Sequence, residues 1–242
     1  MTDVAVSDAP GAALTPRAEQ TRAAIVAAAL DLFRERGYDA ATMRAIAERA
    51  GVSTGNAYYY FGSKEELIQE FYSRNQAEHL AASQHVLATE TDLGERLRGT
   101  LRAQVTLMAP YHEFAATLYK YAAEPTSPLS PFSPQSSPAR QASIGLFRDV
   151  VEGSKARMGA DVRERLPELL WLYSLGITLY WVHDRSDGCS RTYQLIDATV
   201  QVVAQLVSAS RLPVLRRALA DLLQVIDLLA PDGASGSHHT AG

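Results

Sequence analysis

The 242-residue sequence contains a single cysteine, Cys189. One cysteine cannot form an intrachain disulfide, and it cannot supply the cysteine cluster of a structural zinc site. We therefore expect a protein of the reducing cytoplasm that holds no metal and needs no cofactor.

Long hydrophobic runs are also missing. No stretch of about 18 uninterrupted apolar residues occurs, and the acidic N terminus lacks the basic and apolar regions of a secretory signal. We expect neither secretion nor membrane insertion. Alternation of apolar and polar residues is absent over any useful length, so the sequence predicts an all-α fold.

Positive charge is in short supply, with 23 Lys and Arg against 27 Asp and Glu, for a net charge of -4. This balance argues against a protein that coats nucleic acid or binds membranes through a polybasic patch. The stretch from 17 to 64 has seven basic and five acidic residues, a balance of +2, which leaves -6 elsewhere. Any nucleic-acid binding by that stretch would depend on a fitted surface more than on bulk charge.

The most informative stretch is residues 42–67, TMRAIAERAGVSTGNAYYYFGSKEEL. Thr42 can cap a short helix, and Gly51 can end it in a left-handed conformation. The inward positions of that helix are Ile46, Ala47 and Ala50. Ser53 then caps a second helix, residues 54–60.

This second helix is short and contains Gly55, which costs about 1 kcal/mol relative to alanine. Tertiary contacts must therefore hold it, and we expect Ala57 and Phe61 to face the core. After Gly62, the sequence from Ser63 to Glu66 predicts a capping box for a long fourth helix.

Upstream, Thr15 and Pro16 predict the start of a first helix that Gly37 closes. Its inward residues are Ile25, Ala29, Leu32 and Phe33. The sequence resembles the TetR family of bacterial transcriptional regulators in three overlapping stretches. These are TRAAIVAAALDLFRERGYDAATM, residues 42–67 and FGSKEELIQEFY. The resemblance runs from Arg17 to about Phe71, and it implies a three-helix helix-turn-helix DNA-binding domain followed by a helical ligand-binding and dimerisation domain.

A helix-turn-helix places the N-terminal residues of its second helix against base edges in the major groove. These are Thr54, Gly55 and Asn56, where Asn56 can pair with adenine and Gly55 allows close approach. Tyr58 lies near the face of Thr54, whereas Tyr59 and Tyr60 turn toward phosphates or the core.

The resemblance further implies DNA-backbone contacts at Tyr58 and Tyr60 and a base contact at Arg44. Lys64 and Thr42 lie at helix starts, where phosphates are well bound. Alternatives stay open for three residues: Thr42 and Ser63 as caps only, and Tyr59 as a core residue.

Four segments are expected: an arm (1–14), the helix-turn-helix domain (15–62), a helical domain (63–230) and a tail (231–242). Helical spacing predicts helices from Ser63 to about Thr89, Leu93 to Met108, Tyr111 to Ala123, Ala139 to about Met158, Val162 to about Asp184, Arg191 to about Ser208, and Leu212 to Leu229. In the fourth helix, Leu67, Phe71 and Leu80 are expected to face inward.

A proline-rich segment, residues 124–138, interrupts the helices. Its prolines at 125, 128, 131 and 134 favour polyproline II, with Leu129 and Phe132 between them. The segment is either a docking element or lid, or simply a stiff surface loop.

The helices around 162–185 and 191–208 have apolar faces too wide for one neighbour, and as in the family they would form a four-helix dimer interface. The first face comprises Leu166, Leu169, Leu170, Leu172, Tyr173, Leu175, Gly176, Leu179 and Tyr180, and the second comprises Leu195, Val202, Val203 and Leu206. Parts of both faces must also be internal core.

The resemblance implies a cavity for a small-molecule effector whose binding shifts the fourth helix and releases DNA. Candidate liners are Met108, Tyr111, His112, Phe114, Tyr119, Phe147, Trp171, Tyr173, Tyr180 and Trp181, each of which could instead be ordinary core. They suit an apolar or aromatic ligand.

No catalytic site is predicted. His112 with Glu113, and His183 with Asp184 and Arg185, bring no nucleophile and no metal-ligand spacing. The sequence thus predicts a dimeric regulator that a ligand releases from a near-palindromic DNA operator. Two alternatives are the same DNA-binding domain gated by a protein partner, and a helical enzyme or carrier.

Overall fold

The computed structural model describes residues 15–210, and all regular structure within that range is helical. The nine α-helices there are α1 (Pro16–Arg36), α2 (Met43–Arg49), α3 (Thr54–Tyr60), α4 (Lys64–Thr89), α5 (Leu93–Met108), α6 (His112–Ala122), α7 (Ser137–Glu152), α8 (Ala160–His183) and α9 (Ser190–Ala209). Short 3-10 turns lie at Ala109–Tyr111 and Asp187–Cys189. The all-α prediction is confirmed.

The predicted helix 212–229, the arm and the tail lie outside the described residues. None of the helices between 15 and 210 is both long and apolar enough to cross a bilayer. The chain divides into two compact units between Glu70 and Phe71, inside α4. The predicted division lay at the start of that helix.

The first unit, residues 15–70, forms its helices at the predicted caps. The hydroxyls of Thr15, Thr42 and Ser53 accept hydrogen bonds from backbone N–H groups of α1, α2 and α3. Gly51 takes a φ of 70°, and the Val52 N–H donates to the Ala47 carbonyl at 3.0 Å, which closes α2 as a Schellman motif.

The core of this unit contains nearly all of the predicted apolar residues. Those almost fully buried include Ile25, Ala29, Leu32, Phe33, Ile46, Ala47, Ala57, Phe61 and Leu67. Ala50 is only half-buried. The capping box is confirmed in part: the Glu66 N–H donates to Ser63 Oγ, but Glu66 Oε2 accepts from Gly62 N–H.

The second unit, residues 71–210, packs α7 against α8 and α5 against α9 around a core that includes Leu97, Phe147, Trp181 and Ile196. The prediction that Leu80 faces inward is wrong, because Leu80 is 40% exposed. The neighbouring His79 is buried instead, and its Nε2 lies 2.8 Å from the Thr100 carbonyl oxygen.

Arg96 joins two helix ends in this unit. Its buried guanidinium donates to the carbonyls of Leu87 and Glu90 at the end of α4, and to those of Asp149 and Val150 at the end of α7. A positive group at helix C termini satisfies carbonyls that have no partner within the helix and complements the dipoles.

The predicted end of α7 is wrong. The helix expected to reach Met158 ends at Glu152, close to the Arg96 guanidinium. A Cβ on Gly153 would lie 2.1 Å from Arg96 Nη2, so the guanidinium occupies the space beside the last turn of α7. The glycine is therefore required by a side chain 57 positions away, which helical spacing cannot predict.

The proline-rich segment is not polyproline II. The N–H groups of Ser127, Ser130 and Ser133 donate to the carbonyls three residues earlier, at 3.0 to 3.1 Å. Each proline at 125, 128 and 131 is the second residue of such a turn, where its fixed φ is favourable. Polyproline II has no internal hydrogen bonds, so the segment is a series of turns.

Candidate DNA interface and ligand cavity

The helix α3 is fixed on one side only. Ala57 is fully buried, and Phe61, which follows the helix, is 2% exposed. The Arg22 guanidinium lies over the Phe61 ring at 4.7 Å. These contacts hold a seven-residue helix that would be unstable alone.

The opposite side of α3 presents aromatic rings to solvent. Tyr58 is 52% exposed and Tyr59 is 80% exposed. The interpretation of Tyr59 as a core residue is therefore wrong. Tyr60 is half-buried, and its ring meets that of Tyr59 edge-on at 5.2 Å. Large exposed rings on so short a helix suit a partner surface.

The start of α3 is exposed at Thr54, Gly55 and Asn56. Ser53 Oγ accepts a hydrogen bond from the Asn56 backbone N–H at 3.1 Å. The side-chain amide of Asn56 is exposed and has no hydrogen bond among residues 15–210. A Cβ on Gly55 would meet nothing within 4 Å, so no packing within the described chain requires glycine there.

Arg44 on α2 is exposed and makes neither an ion pair nor a side-chain hydrogen bond with any described residue. Its neighbours are engaged: Arg49 bonds to both carboxylate oxygens of Glu35 at 2.7 and 2.8 Å, and Arg22 pairs with Glu70 at 2.6 Å. The donors of Arg44 are therefore not used by any described residue.

The two predicted phosphate ligands at helix starts have roles inside the fold. The Thr42 hydroxyl accepts from the Ala45 N–H at 3.2 Å and keeps its own proton to donate. Lys64 Nζ donates to the Tyr38 carbonyl at 2.7 Å and lies 4.3 Å from the centre of the Tyr38 ring. Two of the three ammonium donors of Lys64 stay available for a phosphate.

Tyr38 was missed by the sequence analysis. Its ring packs on Phe33 at 5.2 Å, and its hydroxyl donates to Glu65 Oε1 at 2.7 Å. Burial of Glu65 opposes its ionisation, but this bond and others from Ser63 and the backbone lower the pKa of Glu65. Tyr38 thus positions the start of α4, and the Gly-Tyr-Asp connection was the available signal.

The second unit contains a cavity of about 200 Å³ bordered by α4 to α8 and the proline-rich turns. Five of the ten predicted liners lie on it: Met108, Tyr111, Phe114, Tyr119 and Trp171. Pro131 lies on it as well, and the adjacent Phe132 packs edge-on against Trp171 at 5.5 Å.

The other five predicted liners lie elsewhere, which corrects that part of the prediction. Phe147 and Trp181 are buried in the core cluster, and His112 Nε2 bonds to the Trp181 carbonyl at 2.8 Å. Tyr173 pairs through its hydroxyl with Thr199 Oγ1, and Tyr180 is 41% exposed. Residues that share helical spacing can face core, cavity or solvent, and spacing alone does not separate these.

Polar residues of the cavity were also missed. Gln76 and Gln104 line it, and the Nε2 of the first and the Oε1 of the second are buried without a partner among the described residues. Tyr72 and Arg140 line it too, and burial raises the pKa of Tyr72 so that its hydroxyl stays neutral. The sequence signal for these cavity residues was the presence of polar side chains inside amphipathic helices.

The helices α8 and α9 expose apolar side chains. Leu179, Tyr180, Val202 and Leu206 are between 41% and 53% exposed. Gly176 is exposed and has open space around the position of a Cβ. Between these two helices, the Asp184 carboxylate accepts from the N–H and hydroxyl groups of both Ser186 and Thr192.

Family comparisons match both units. Residues 25–71 match the model described as "Bacterial regulatory proteins, tetR family". Residues 96–225, more than half of the chain, match the model described as "Tetracyclin repressor-like, C-terminal domain".

Three curated relatives are similar over shorter stretches. The chain is 40% identical over 88 residues to the transcriptional activator FasR of Mycolicibacterium smegmatis, which covers 36% of this chain and 40% of FasR. It is 41% identical over 64 residues to the regulator UidR of Escherichia coli (26% and 33% covered). It is 31% identical over 91 residues to the repressor KstR2 of Mycobacterium tuberculosis (38% and 46% covered). The chain thus spans less than half the length of these relatives.

Solved structures share the fold over most of the chain. A TetR regulator from Nitrosomonas europaea aligns with a TM-score of 0.60 at 19% identity, covering 76% of this chain and 98% of that one. Bacillus subtilis FadR in complex with stearoyl-CoA aligns at 0.59 and 15%, covering 75% and 97%. Thermus thermophilus FadR in complex with lauroyl-CoA aligns at 0.51 and 20%, covering 74% and 93%.

Proposed function

The chain belongs to the tetR family of bacterial regulatory proteins, and on that basis we propose a dimeric, sequence-specific regulator of transcription in the cytoplasm. It acts as a repressor, and a small, largely apolar or aromatic ligand releases it from a near-palindromic operator.

The outer face of α3 carries this proposal. Asn56 and Tyr58 are exposed polar and aromatic groups without hydrogen bonds among the described residues, and Gly55 has no packing role there. An unpartnered amide at a helix start is suited to an adenine edge, and a missing Cβ allows the helix backbone to approach DNA. Thr42 and Lys64 supply the flanking phosphate contacts, and Arg44 reaches a base.

Dimerisation follows from the weak charge of the DNA-binding unit and the apolar surface of α8 and α9. A single small module with a balance near +2 gains little from counterion release, so two copies are needed for a stable complex. Two helices from each protomer bury Leu179, Tyr180, Val202 and Leu206 in a four-helix bundle. The near-palindromic operator is the DNA counterpart of that symmetry.

The cavity of the second unit supports ligand gating. Its wall is mostly aromatic and aliphatic, which suits a small apolar ligand. Two relatives of the fold are described in complexes with acyl-CoA, and KstR2 is named a repressor. Occupation of the cavity shifts α4 and changes the spacing of the two DNA-binding units, a population shift driven by differential affinity.

Gating by a protein partner is the weaker alternative. In the proline-rich turns, Pro131 lines the cavity and Phe132 packs against Trp171. These contacts favour a segment that covers the cavity over one that docks a partner protein.

Selection of bound fragments from genomic DNA, followed by footprinting, tests the proposal. We expect one protected near-palindrome with half-sites about one helical turn or more apart, and a dimer in sedimentation at micromolar concentration. Equal retention of all fragments, or a monomer under the same conditions, would contradict it.

A further inference from the structure

Arg140 is the one residue with an ionised side chain among the described residues that line the cavity. Asp, Glu and Lys are absent from that lining within residues 15–210, and the rest of the wall is apolar, aromatic, hydroxyl or amide. The cavity therefore carries a single positive charge in a mainly apolar surrounding, where charges interact more strongly than in water.

The guanidinium is only partly used by the fold. Its Nη1 donates to the Pro131 carbonyl at 2.7 Å and to the Ser133 carbonyl at 3.1 Å. Its Nε and Nη2 donate to no described residue, and no carboxylate among residues 15–210 pairs with it. Arginine presents several donors in a planar fork that matches a carboxylate with two parallel hydrogen bonds.

Arg140 also joins the cavity to its lid. The two carbonyls that it holds belong to the proline-rich turns, where Pro131 lines the cavity. An anion bound to the free side of the guanidinium is therefore held by the same side chain that fixes these turns. Recognition of the ligand and the position of these turns therefore depend on one residue.

Two more polar groups of the wall are not satisfied by the fold. Gln104 Nε2 donates to Thr178 Oγ1 at 3.1 Å, but its Oε1 and the Nε2 of Gln76 have no partner among the described residues. Buried polar atoms without hydrogen bonds are destabilising, so their presence in a cavity wall indicates a site for a polar ligand group. An acceptor and a donor together suit a hydroxyl group, which can donate to the first and accept from the second.

We infer that the effector is a small carboxylic acid with a mainly apolar body, whose carboxylate pairs with Arg140. This inference rests on the proposed ligand-gated function. The cavity of about 200 Å³ is smaller than the roughly 300–1,000 Å³ of pockets for drug-sized ligands, so the acid is a short one. Amines are rejected, because a second positive charge would face the unpaired guanidinium.

A thermal-shift comparison of acids with their neutral amides tests the inference on the unaltered chain. The probes are benzoate, 3-phenylpropionate and octanoate, the primary amide of each, benzylamine and lauroyl-CoA. We expect at least one acid to raise Tm by about 5 °C at a hundred times its Kd, and its amide at equal concentration to raise it by less than about 1 °C.

Two variants of α7 locate the charge. R140Q removes the guanidinium, whereas R148Q makes the same change at an exposed position of the same helix. We expect R140Q to weaken binding of the acid at least tenfold and R148Q to leave it unchanged. R140K, which keeps the charge but loses the fork, should bind with intermediate affinity. If R140Q fails to fold, the acid and amide comparison still decides.

The inference is overturned if no acid stabilises the chain, if amides stabilise it equally, or if lauroyl-CoA alone does so. A gel shift with the selected operator separates this from failure of the proposed function. Stabilisation by an acid with no operator binding would sink the regulator proposal and leave the ligand class standing. Operator binding without stabilisation by any acid would overturn the ligand class and leave the regulator proposal standing.

Discussion

Polar side chains of α3 differ from those at the helix ends of the second unit in what they contact. Asn56 and Tyr58 are exposed and have no hydrogen-bond partner for their side chains among residues 15–210. Arg96 and Asp184 are buried, and each takes part in four hydrogen bonds. Folding uses the side chains of Arg96 and Asp184 but not those of Asn56 and Tyr58. Removal of the former should therefore lower stability, whereas removal of the latter should weaken DNA binding.

Replacement of Arg96 by Met should have the largest effect. It leaves four carbonyls at the ends of α4 and α7, all at least partly buried, without their donor, which we expect to cost about 3 to 5 kcal/mol of unfolding free energy. Urea denaturation measures it, with Arg148→Met as the exposed control. A loss below about 1 kcal/mol would show that the guanidinium is not needed to join these helix ends.

Replacement of Asp184 by Ala should cost about 2 to 4 kcal/mol, because the N–H and hydroxyl groups of Ser186 and Thr192 lose their acceptor. Thermal unfolding measures it. Asp187→Ala is the control, since Asp187 is an exposed carboxylate in the same connection. Equal losses for the two variants would contradict the specific role of Asp184.

The same carboxylate should make stability depend on pH. Burial of Asp184 would raise its pKa, but the hydrogen bonds from Ser186 and Thr192 outweigh this and lower the pKa to about 2. Its stabilisation is therefore complete above the unfolded pKa near 3.9 and is lost as pH falls toward 2. The difference in stability between wild type and Asp184→Asn should shrink between pH 5 and pH 2.

Replacement of Tyr58 by Ala should weaken operator binding and leave stability almost unchanged. Because Tyr58 is 52% exposed, loss of its side chain should change the unfolding free energy by less than about 0.5 kcal/mol. We expect operator Kd to rise about tenfold, or roughly 1.4 kcal/mol. Fluorescence anisotropy with the operator provides the measurement. Unchanged affinity would remove Tyr58 from the interface.

Replacement of Gly55 by Ala should change the unfolding free energy only slightly, and in the stabilising direction. The added Cβ meets nothing within 4 Å, so the better helix former should add up to about 1 kcal/mol. Operator binding should nevertheless weaken, because the Cβ would face DNA. Stabilisation without loss of affinity would show that the backbone does not approach DNA at this position.

The first unit could be predicted almost residue by residue because its signals are local. Caps at Thr15, Thr42 and Ser53, and the positive φ at Gly51, act within a few residues of their own position. The outward face of α3 followed from the same spacing. Whether its residues contact DNA stays a prediction.

The second unit was less predictable because its decisive contacts are distant in sequence. The space beside Gly153, at the end of α7, is filled by Arg96, and the turns of the proline-rich segment are held by Arg140. Over the 26 residues of α4, small errors in helical phase placed Leu80 inward and missed His79. Aromatic residues at helical spacing indicated Trp171 as a cavity residue, but that pattern does not indicate the polar groups of the same wall.

Base discrimination by Asn56 is the most direct test of DNA recognition through α3. Binding of wild type and Asn56→Ala should be measured by gel shift on the selected operator and on versions with each base pair changed in turn. We predict that wild type loses about 1 to 3 kcal/mol when one adenine in each half-site is replaced, and that Asn56→Ala no longer distinguishes that position. Identical discrimination profiles for the two proteins would contradict the account.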